Sequence, residues 1–323
     1  MMFPEKSKLN ICFAHVAYRM QDRFAARQTG LNSVQAWSAD ELLGHLGEAH
    51  VLVISGLWRN KLLAAAPRLR FIQSIGAGTD QFDKELLAAK GVRLASARGV
   101  NARAVSDHVM ALILALARKL PEARDNQARR FFRPMIGAID EREDELADKT
   151  LLIVGVGGIG GRLARLAKAF ELRVIGVRRD PKAGSNGADE VHGMEALPTL
   201  LPRADIVALT CPLTRETENL VNARTLSLMK RSALLVNAAR GRCVDEAALI
   251  SALETGAIAA AALDVFVEEP LPPVSPLWTA KNLFITPHTG GETRRYEENV
   301  IDCLLDNLDR LWRGEEELRN QVV

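Results

Sequence analysis

Short apolar runs alternate with segments of helical spacing from the start of the chain. Ile11 to Val16, Val51 to Ile54, Phe71 to Ile75 and Val92 to Ala95 read as strands, and between them Asp40 to Leu46, Arg59 to Ala66 and Phe82 to Lys90 carry apolar residues at helix periodicity. Near-continuous apolar strands separated by helices are what a parallel sheet requires, because crossover helices bury both of its faces. Residues 1–100 therefore predict one α/β layered unit.

A long helical pattern follows from Ala102 to Leu120, rich in Ala, Leu, Ile and Met and stopped by Pro121. It is apolar all round, so it is expected to be buried. The nearly all-charged run Asp140 to Glu145 marks the clearest composition shift. Beyond it the βα rhythm restarts, with Thr150 to Val154, Val174 to Val177, Ile206 to Leu209, Ala233 to Val236, Ala259 to Leu263 and Phe284 to Ile285 all strand-like. The fold class predicted is thus α/β with two doubly wound parallel-sheet domains. A last helical pattern, Thr293 to Arg313, lies beyond the final strand and is placed to return to the first domain.

Bulk properties narrow the picture. At 323 residues the chain exceeds the usual ceiling for a single hydrophobic core, and its 48% hydrophobic and 25% charged content is that of ordinary globular proteins. The 42 basic and 40 acidic residues are interleaved and leave a net charge of only +2, so no nucleic-acid partner is expected. Cys12, Cys211, Cys243 and Cys303 are far apart, with no CxxC spacing, and read as reduced thiols of a cytoplasmic protein; no metal is expected. Met1 to Asn10 is polar, and no apolar run approaches the roughly 18 residues of a membrane span, which disfavours export and membrane insertion. Arg129, Arg130 and Arg133 flank Phe131 and Phe132 in a stretch that reads as a solvated arm or subunit contact.

The segment LLIVGVGGIGGRLARLA, Leu151 to Ala167, sets Gly155, Gly157 and Gly160 in GxGxxG order between an apolar strand and an amphipathic helix, with Gly158 and Ile159 inside the motif. Here Gly155 permits the tight turn, Gly157 lets backbone approach a pyrophosphate, and Gly160 lets helix pack on strand, while the helix N-terminus faces phosphate charge. That context predicts a Rossmann dinucleotide site. An acidic residue about 20 residues on would hold the adenosine ribose of NAD. Arg178 and Arg179 stand there instead and can pair with a 2′-phosphate, which predicts a preference for NADP over NAD. Asp180 is the competing reading: it serves the ribose if the turn is a residue or two longer.

Asn237-Ala-Ala-Arg240-Gly241, Asp264-Val-Phe-Val-Glu-Glu269-Pro270 and Thr286-Pro287-His288 each follow an apolar strand of the second sheet. Ligands bind at such carboxyl ends. Reducing a keto group needs a proton donor as the hydride arrives, and an imidazole titrating near neutrality can act in both directions, which makes His288 the acid/base candidate. Glu269 would favour the protonated imidazole and fix its tautomer. Arg240 would bind an anionic substrate and polarise its carbonyl.

These residues resemble the D-isomer-specific 2-hydroxyacid dehydrogenase family, which includes glyoxylate and hydroxypyruvate reductases and phosphoglycerate dehydrogenases. The match runs in order through Ser74-Ile-Gly-Ala-Gly78-Thr-Asp, Gly99-Val-Asn-Ala, Val154-Gly-Val-Gly-Gly-Ile-Gly160, Pro212-Leu-Thr, Ala239-Arg-Gly, Asp264-Val-Phe and Pro287-His. The resemblance implies a catalytic trio of Arg240, Glu269 and His288, with the substrate carboxylate also held by amides near Ala77 and Gly78. It further implies that Cys211-Pro212 and Ala238-Ala239 line the ribose and nicotinamide, with Asp264 at the carboxamide. By the same resemblance, 1–100 plus 291–323 form a flavodoxin-like substrate domain and 101–290 the NAD(P)-binding domain. The active site would lie in the interdomain cleft, and the long helix after Asn101 would help build a homodimer.

The chain departs from the family's pattern where a frequent Asp is replaced by Arg178 and a frequent Ala-Glu-His by Ser106-Asp107-His108. Its end near Val323, without a regulatory extension, fits a short glyoxylate or hydroxypyruvate reductase better than a serine-regulated phosphoglycerate dehydrogenase. Selectivity among small 2-keto acids is expected to depend on the pocket near Trp58, Arg59 and the Phe131-Phe132 arm, with Arg59 itself expected at the surface. Two other functions fit the same framework: a dinucleotide-sensing protein of the co-repressor type, for which the chain lacks basic or low-complexity arms, and a dehydrogenase acting on formate or phosphite.

Overall fold

The structure, a computed structural model, describes residues 3–323. It divides into two compact units, one formed by the chain up to Asn101 together with Thr293–Val323 and the other by Ala102–Glu292.

In the first unit β1 (Asn10–Ala14), β2 (Asn32–Ala36), β3 (Val51–Ile54), β4 (Phe71–Ser74) and β5 (Arg93–Ala95) form a parallel sheet in the order β2-β1-β3-β4-β5. This is the flavodoxin-type doubly wound order. Side-chain alternation sends Cys12, Ala14, Leu52, Ile54 and Ile72 to one face and Ile11, Phe13, Val51, Val53 and Phe71 to the other. The second face is covered by the helix Tyr296–Trp312, whose Val300, Ile301, Leu304 and Leu308 are buried there. Asn307 of that helix donates from Nδ2 to Gln73 Oε1 at 2.9 Å, a pairing of two fully buried amides that fixes the helix on β4. Beyond the helix, Val322 N donates to Leu94 O at 2.7 Å, so the end of the chain runs along β5.

The second unit carries β6 (Thr150–Val154), β7 (Arg173–Val177), β8 (Glu190–His192), β9 (Ile206–Leu209), β10 (Leu234–Asn237), β11 (Ala260–Leu263) and β12 (Leu283–Ile285), all parallel, in the order β12-β11-β10-β9-β6-β7-β8. Counted from its own first strand this is the Rossmann order with a further strand at one edge. The helices Ala102–Ala117 and Gly158–Ala169 cover the face bearing Leu151, Ile153, Ile206, Ala208 and Val236. Val177, Val154, Leu209, Asn237, Leu263 and Ile285 pair in register, so these strands end level and their following loops open along one edge of the sheet.

The differences from the sequence reading have local causes. β2 and β8 were not among the expected strands; both are edge strands, half exposed, with polar residues that break an apolar run. The long helix stops at Ala117, before Pro121: Lys119 takes a left-handed φ of 49°, and Pro121 sits in the first turn of a new helix, Leu120–Ala128, where its missing N–H has no consequence. No helix among the described residues is long and apolar enough to cross a membrane.

Candidate active site

The glycine motif folds as a strand, a turn and a helix at the switch between β6 and β9. Gly155 has φ +103°, and a Cβ on it would lie 2.6 Å from the Cα of Cys211, so both backbone conformation and close approach demand glycine. A Cβ on Gly160 would collide with the Gly155 carbonyl. Gly157 differs: a Cβ there would meet nothing within 4 Å, so the protein's own packing gives no reason for glycine. Approach of a pyrophosphate gives one. The first-turn amides of Gly158, Ile159 and Gly160 lack intrahelical acceptors, and with the turn they form a cradle that fits a dinucleotide's phosphates.

At the end of β7, Arg178 donates from Nη1 to the carbonyls of Ala183 (3.2 Å) and Gly184 (2.9 Å), and Arg179 is exposed. Asp180 caps the short helical turn Pro181–Ala183, accepting from Lys182 N at 3.0 Å. Cys211, Pro212, Ala238 and Ala239 follow β9 and β10 on the same edge. A hydrogen bond with Cys243, reinforced by burial, pushes the Cys211 thiol far above its ordinary value. The Cys211 thiol is therefore held protonated.

Arg240, Glu269 and His288 come from loops following β10, β11 and β12. Asn237, fully buried at the end of β10, shapes the first of these loops: its Oδ1 accepts from Ala239 N (3.0 Å) and its Nδ2 donates to Arg240 O (3.0 Å). Next to it, Gly241 packs so closely on the backbone of Phe266 and Val267 that any Cβ would overlap them. Glu269 accepts from Phe266 N through Oε1 at 2.9 Å and meets His288 Nδ1 through Oε2 at 2.7 Å.

The electrostatics follow from this geometry. The hydrogen bond to Glu269 holds the His288 imidazole above its ordinary pKa; burial opposes the shift, the charges of Glu269 and Asp264 add to it, and Arg240 subtracts. Burial pushes Glu269 up, but its hydrogen bonds to His288 and Phe266 N, with the charges of His288 and Arg240, outweigh burial and keep the carboxyl below the usual range. An ionised glutamate and a readily protonated imidazole therefore sit together beside a guanidinium.

Asp264 is only 3% exposed. Its Oδ1 accepts from the Thr286 hydroxyl (2.7 Å) and Thr289 N (3.0 Å), and its Oδ2 from Gly290 N (3.0 Å). His108 Nε2, from the helix Ala102–Ala117, lies 3.0 Å from Thr286 Oγ1 and 3.2 Å from Asp264 Oδ1. Burial raises the Asp264 carboxyl, and the bonds from His108, Thr286 and Gly290 N more than reverse that, so it is held ionised. Asn237, Thr286 and His108 were absent from the expected site. Asn237 and Thr286 carried the signal of adjacency, opening the loops that bear Arg240 and His288; His108, distant in sequence, carried none.

In the first unit Ala77 is exposed and Gly78 half-exposed, in the loop after β4. Trp58, whose placement the sequence left open, is a core residue: it is 1% exposed, packs on Phe82 with ring centroids 5.4 Å apart, and donates to Asn60 Oδ1 at 2.9 Å. Arg59 is exposed, its guanidinium on the carbonyls of Gly56 and Trp58. Phe132 and Met135, in the second unit, are each 99% exposed. Among the described residues no group of His, Cys, Asp or Glu is arranged to hold a metal.

The model of the D-isomer specific 2-hydroxyacid dehydrogenase NAD binding domain matches residues 110–290. Glyoxylate/hydroxypyruvate reductase B of Yersinia pestis (strain Pestoides F) is 36% identical over 305 residues, 92% of each chain. A D-isomer specific 2-hydroxyacid dehydrogenase family protein from Aeromonas salmonicida superposes with TM-score 0.85 at 32% identity, covering 98% of this chain and 99% of its own. The NADPH-dependent glyoxylate/hydroxypyruvate reductase of Sinorhizobium meliloti, solved with NADP and malonate, gives 0.81 at 28% identity, covering 98% and 97%.

Proposed function

The chain belongs to the D-isomer-specific 2-hydroxyacid dehydrogenase family, oxidoreductases acting on CH–OH groups, and from that membership we propose that it reduces glyoxylate or hydroxypyruvate with NADPH through Arg240, Glu269 and His288. The observation that carries the residue assignment is the 2.7 Å contact of His288 Nδ1 with Glu269 Oε2.

When bound, the dinucleotide supplies the hydride. The chain supplies the proton and the charge. With Nδ1 committed to Glu269, His288 presents Nε2 as its free acid, and the protonated imidazole donates from Nε2 to the carbonyl oxygen as the 2-carbon becomes tetrahedral. In the reverse direction the neutral ring takes the hydroxyl proton. Glu269 remains ionised throughout and stabilises the imidazolium. Arg240 pairs with the substrate carboxylate and polarises the carbonyl. Gly155, Gly157, Gly158, Ile159 and Gly160 would hold the pyrophosphate, and Cys211, Pro212, Ala238, Ala239 and Asp264 would line the nucleoside end bearing the nicotinamide.

The preference for NADP rests on Arg178 and Arg179 at the end of β7, with Asp180 taken up in capping the next turn. A similar reductase from Sinorhizobium meliloti is NADPH-dependent. A cytoplasmic location is supported by four free, buried cysteines. A homodimer is supported by the exposure of Phe131, Phe132, Met135 and Ile139 along one arm. Oxidation of NADPH and NADH followed at 340 nm with a panel of 2-keto acids tests the activity, and light scattering tests the dimer.

A further inference from the structure

The loop that carries His288 has little of its own to hold it. It leaves β12, an edge strand of only Leu283–Ile285 in which every residue is half exposed, and His288 itself adopts φ +54°, a left-handed conformation that a side chain bearing a Cβ disfavours. Such a conformation persists only where its surroundings over-determine it. The determinant is Asp264: the Thr286 hydroxyl and the amides of Thr289 and Gly290, on both sides of His288, all converge on that one carboxylate.

The carboxylate has one further donor, from outside the loop. Thr286 Oγ1 gives its hydrogen to Asp264 at 2.7 Å, so toward His108 Nε2, 3.0 Å away, it can only accept. His108 Nε2 must therefore carry a proton, shared between Thr286 Oγ1 and Asp264 Oδ1. The fit around it is close: a Cβ on Gly290 would come 3.1 Å from the His108 ring and 2.8 Å from Asp264 Oδ2. We infer that His108 is a positioning residue for His288, its Nε2–H pinning Thr286 and Asp264 to the long helix so that the Thr286–Gly290 loop keeps the imidazole on Glu269. The inference rests on His288 being the acid/base of the proposed reaction. His108 does not reach the reacting atoms; it acts through Asp264 and Thr286.

The ionisable groups acting on His288 are Glu269, Asp264 and Arg240. Loosening the loop weakens the Glu269 contact and leaves burial and Arg240, both of which lower the imidazole pKa. The test uses His108→Leu, which has no donor; His108→Gln, whose amide can restore one; and Thr286→Val, which removes the intermediate hydroxyl. NMR titration of the His288 ring in the protein alone, its signal identified by its loss in His288→Asn, should give a lower pKa for His108→Leu and Thr286→Val than for wild type. In turnover with glyoxylate, both should lose about tenfold in kcat, the effect of one charge-assisted hydrogen bond, with the KM for dinucleotide within about twofold. His108→Gln should recover most of both. An unchanged titration and kcat in Leu and Val variants, or a Gln variant as impaired as Leu, overturns the inference. If wild type turns over no 2-keto acid, the proposed activity fails, while the NMR titration still decides whether His108 holds the His288 ring.

Discussion

His288 Nδ1 and Glu269 Oε2 meet at 2.7 Å, and the other Glu269 oxygen is taken by the Phe266 amide at 2.9 Å. With both oxygens engaged the carboxylate cannot rotate away, and the imidazole is left a single nitrogen, Nε2, for chemistry. The pH behaviour follows. Because the Glu269 bond raises the His288 pKa, the protonated ring needed for reduction persists above the ordinary value of about 6.5. kcat/KM for reduction should be level at low pH and fall as pH rises through the raised pKa, while oxidation rises over the same interval. Glu269→Gln should move both limbs to lower pH. Limbs that stay in place in this variant contradict the pairing.

Arg178 is the residue to change for cofactor choice. A charge-assisted contact with a 2′-phosphate contributes about 1.5 to 3 kcal/mol, so Arg178→Ala should raise the KM for NADPH about ten- to hundredfold and leave NADH nearly unaltered. Paired KM measurements with the two cofactors decide it; equal changes for both mean the arginine does not read the phosphate.

Gly241 joins the loops of Arg240 and Glu269 by backbone contact. Gly241→Ala forces a Cβ into the Phe266 carbonyl, which has no room to yield, and should cost about 1 to 3 kcal/mol or more in stability. Thermal unfolding should show a lowered midpoint. The glycine cradle at β6 is untouched, so dinucleotide binding, read by nucleotide fluorescence below that midpoint, should survive while reduction falls.

In the first unit, Asn307→Ala takes the Asn307 donor from the fully buried Gln73 Oε1 and removes the bonds to Arg319 O and from Arg319 N. A buried acceptor left without its donor costs about 1 to 3 kcal/mol, so the urea midpoint should fall; an unchanged midpoint would mean water or another group replaces Asn307.

Central strands were legible in the sequence because burial on both faces demands unbroken apolar runs, as in Val51 to Ile54 and Leu151 to Val154. Asn32–Ala36 and Glu190–His192 escaped because an edge strand needs no such run. Arg240, Glu269 and His288 could be marked because each chemistry-bearing side chain directly follows a strand. Their supports could not: Asn237 and Thr286 look like ordinary polar loop residues, and His108 is distant from Asp264 in sequence and joined to it only by the packing of helix on sheet. Trp58 could not be placed from the sequence, because a tryptophan beside an arginine suits a pocket wall or a core equally, and only the fold sets its ring against Phe82.

The most direct measurement is NADPH oxidation with glyoxylate and hydroxypyruvate by wild type and His288→Ala. Wild type should reduce at least one of them, and His288→Ala should lose roughly 10² to 10⁴-fold in kcat while binding NADPH as before. Turnover undiminished in His288→Ala, or NADPH bound by wild type with no 2-keto acid reduced, would contradict the proposed function.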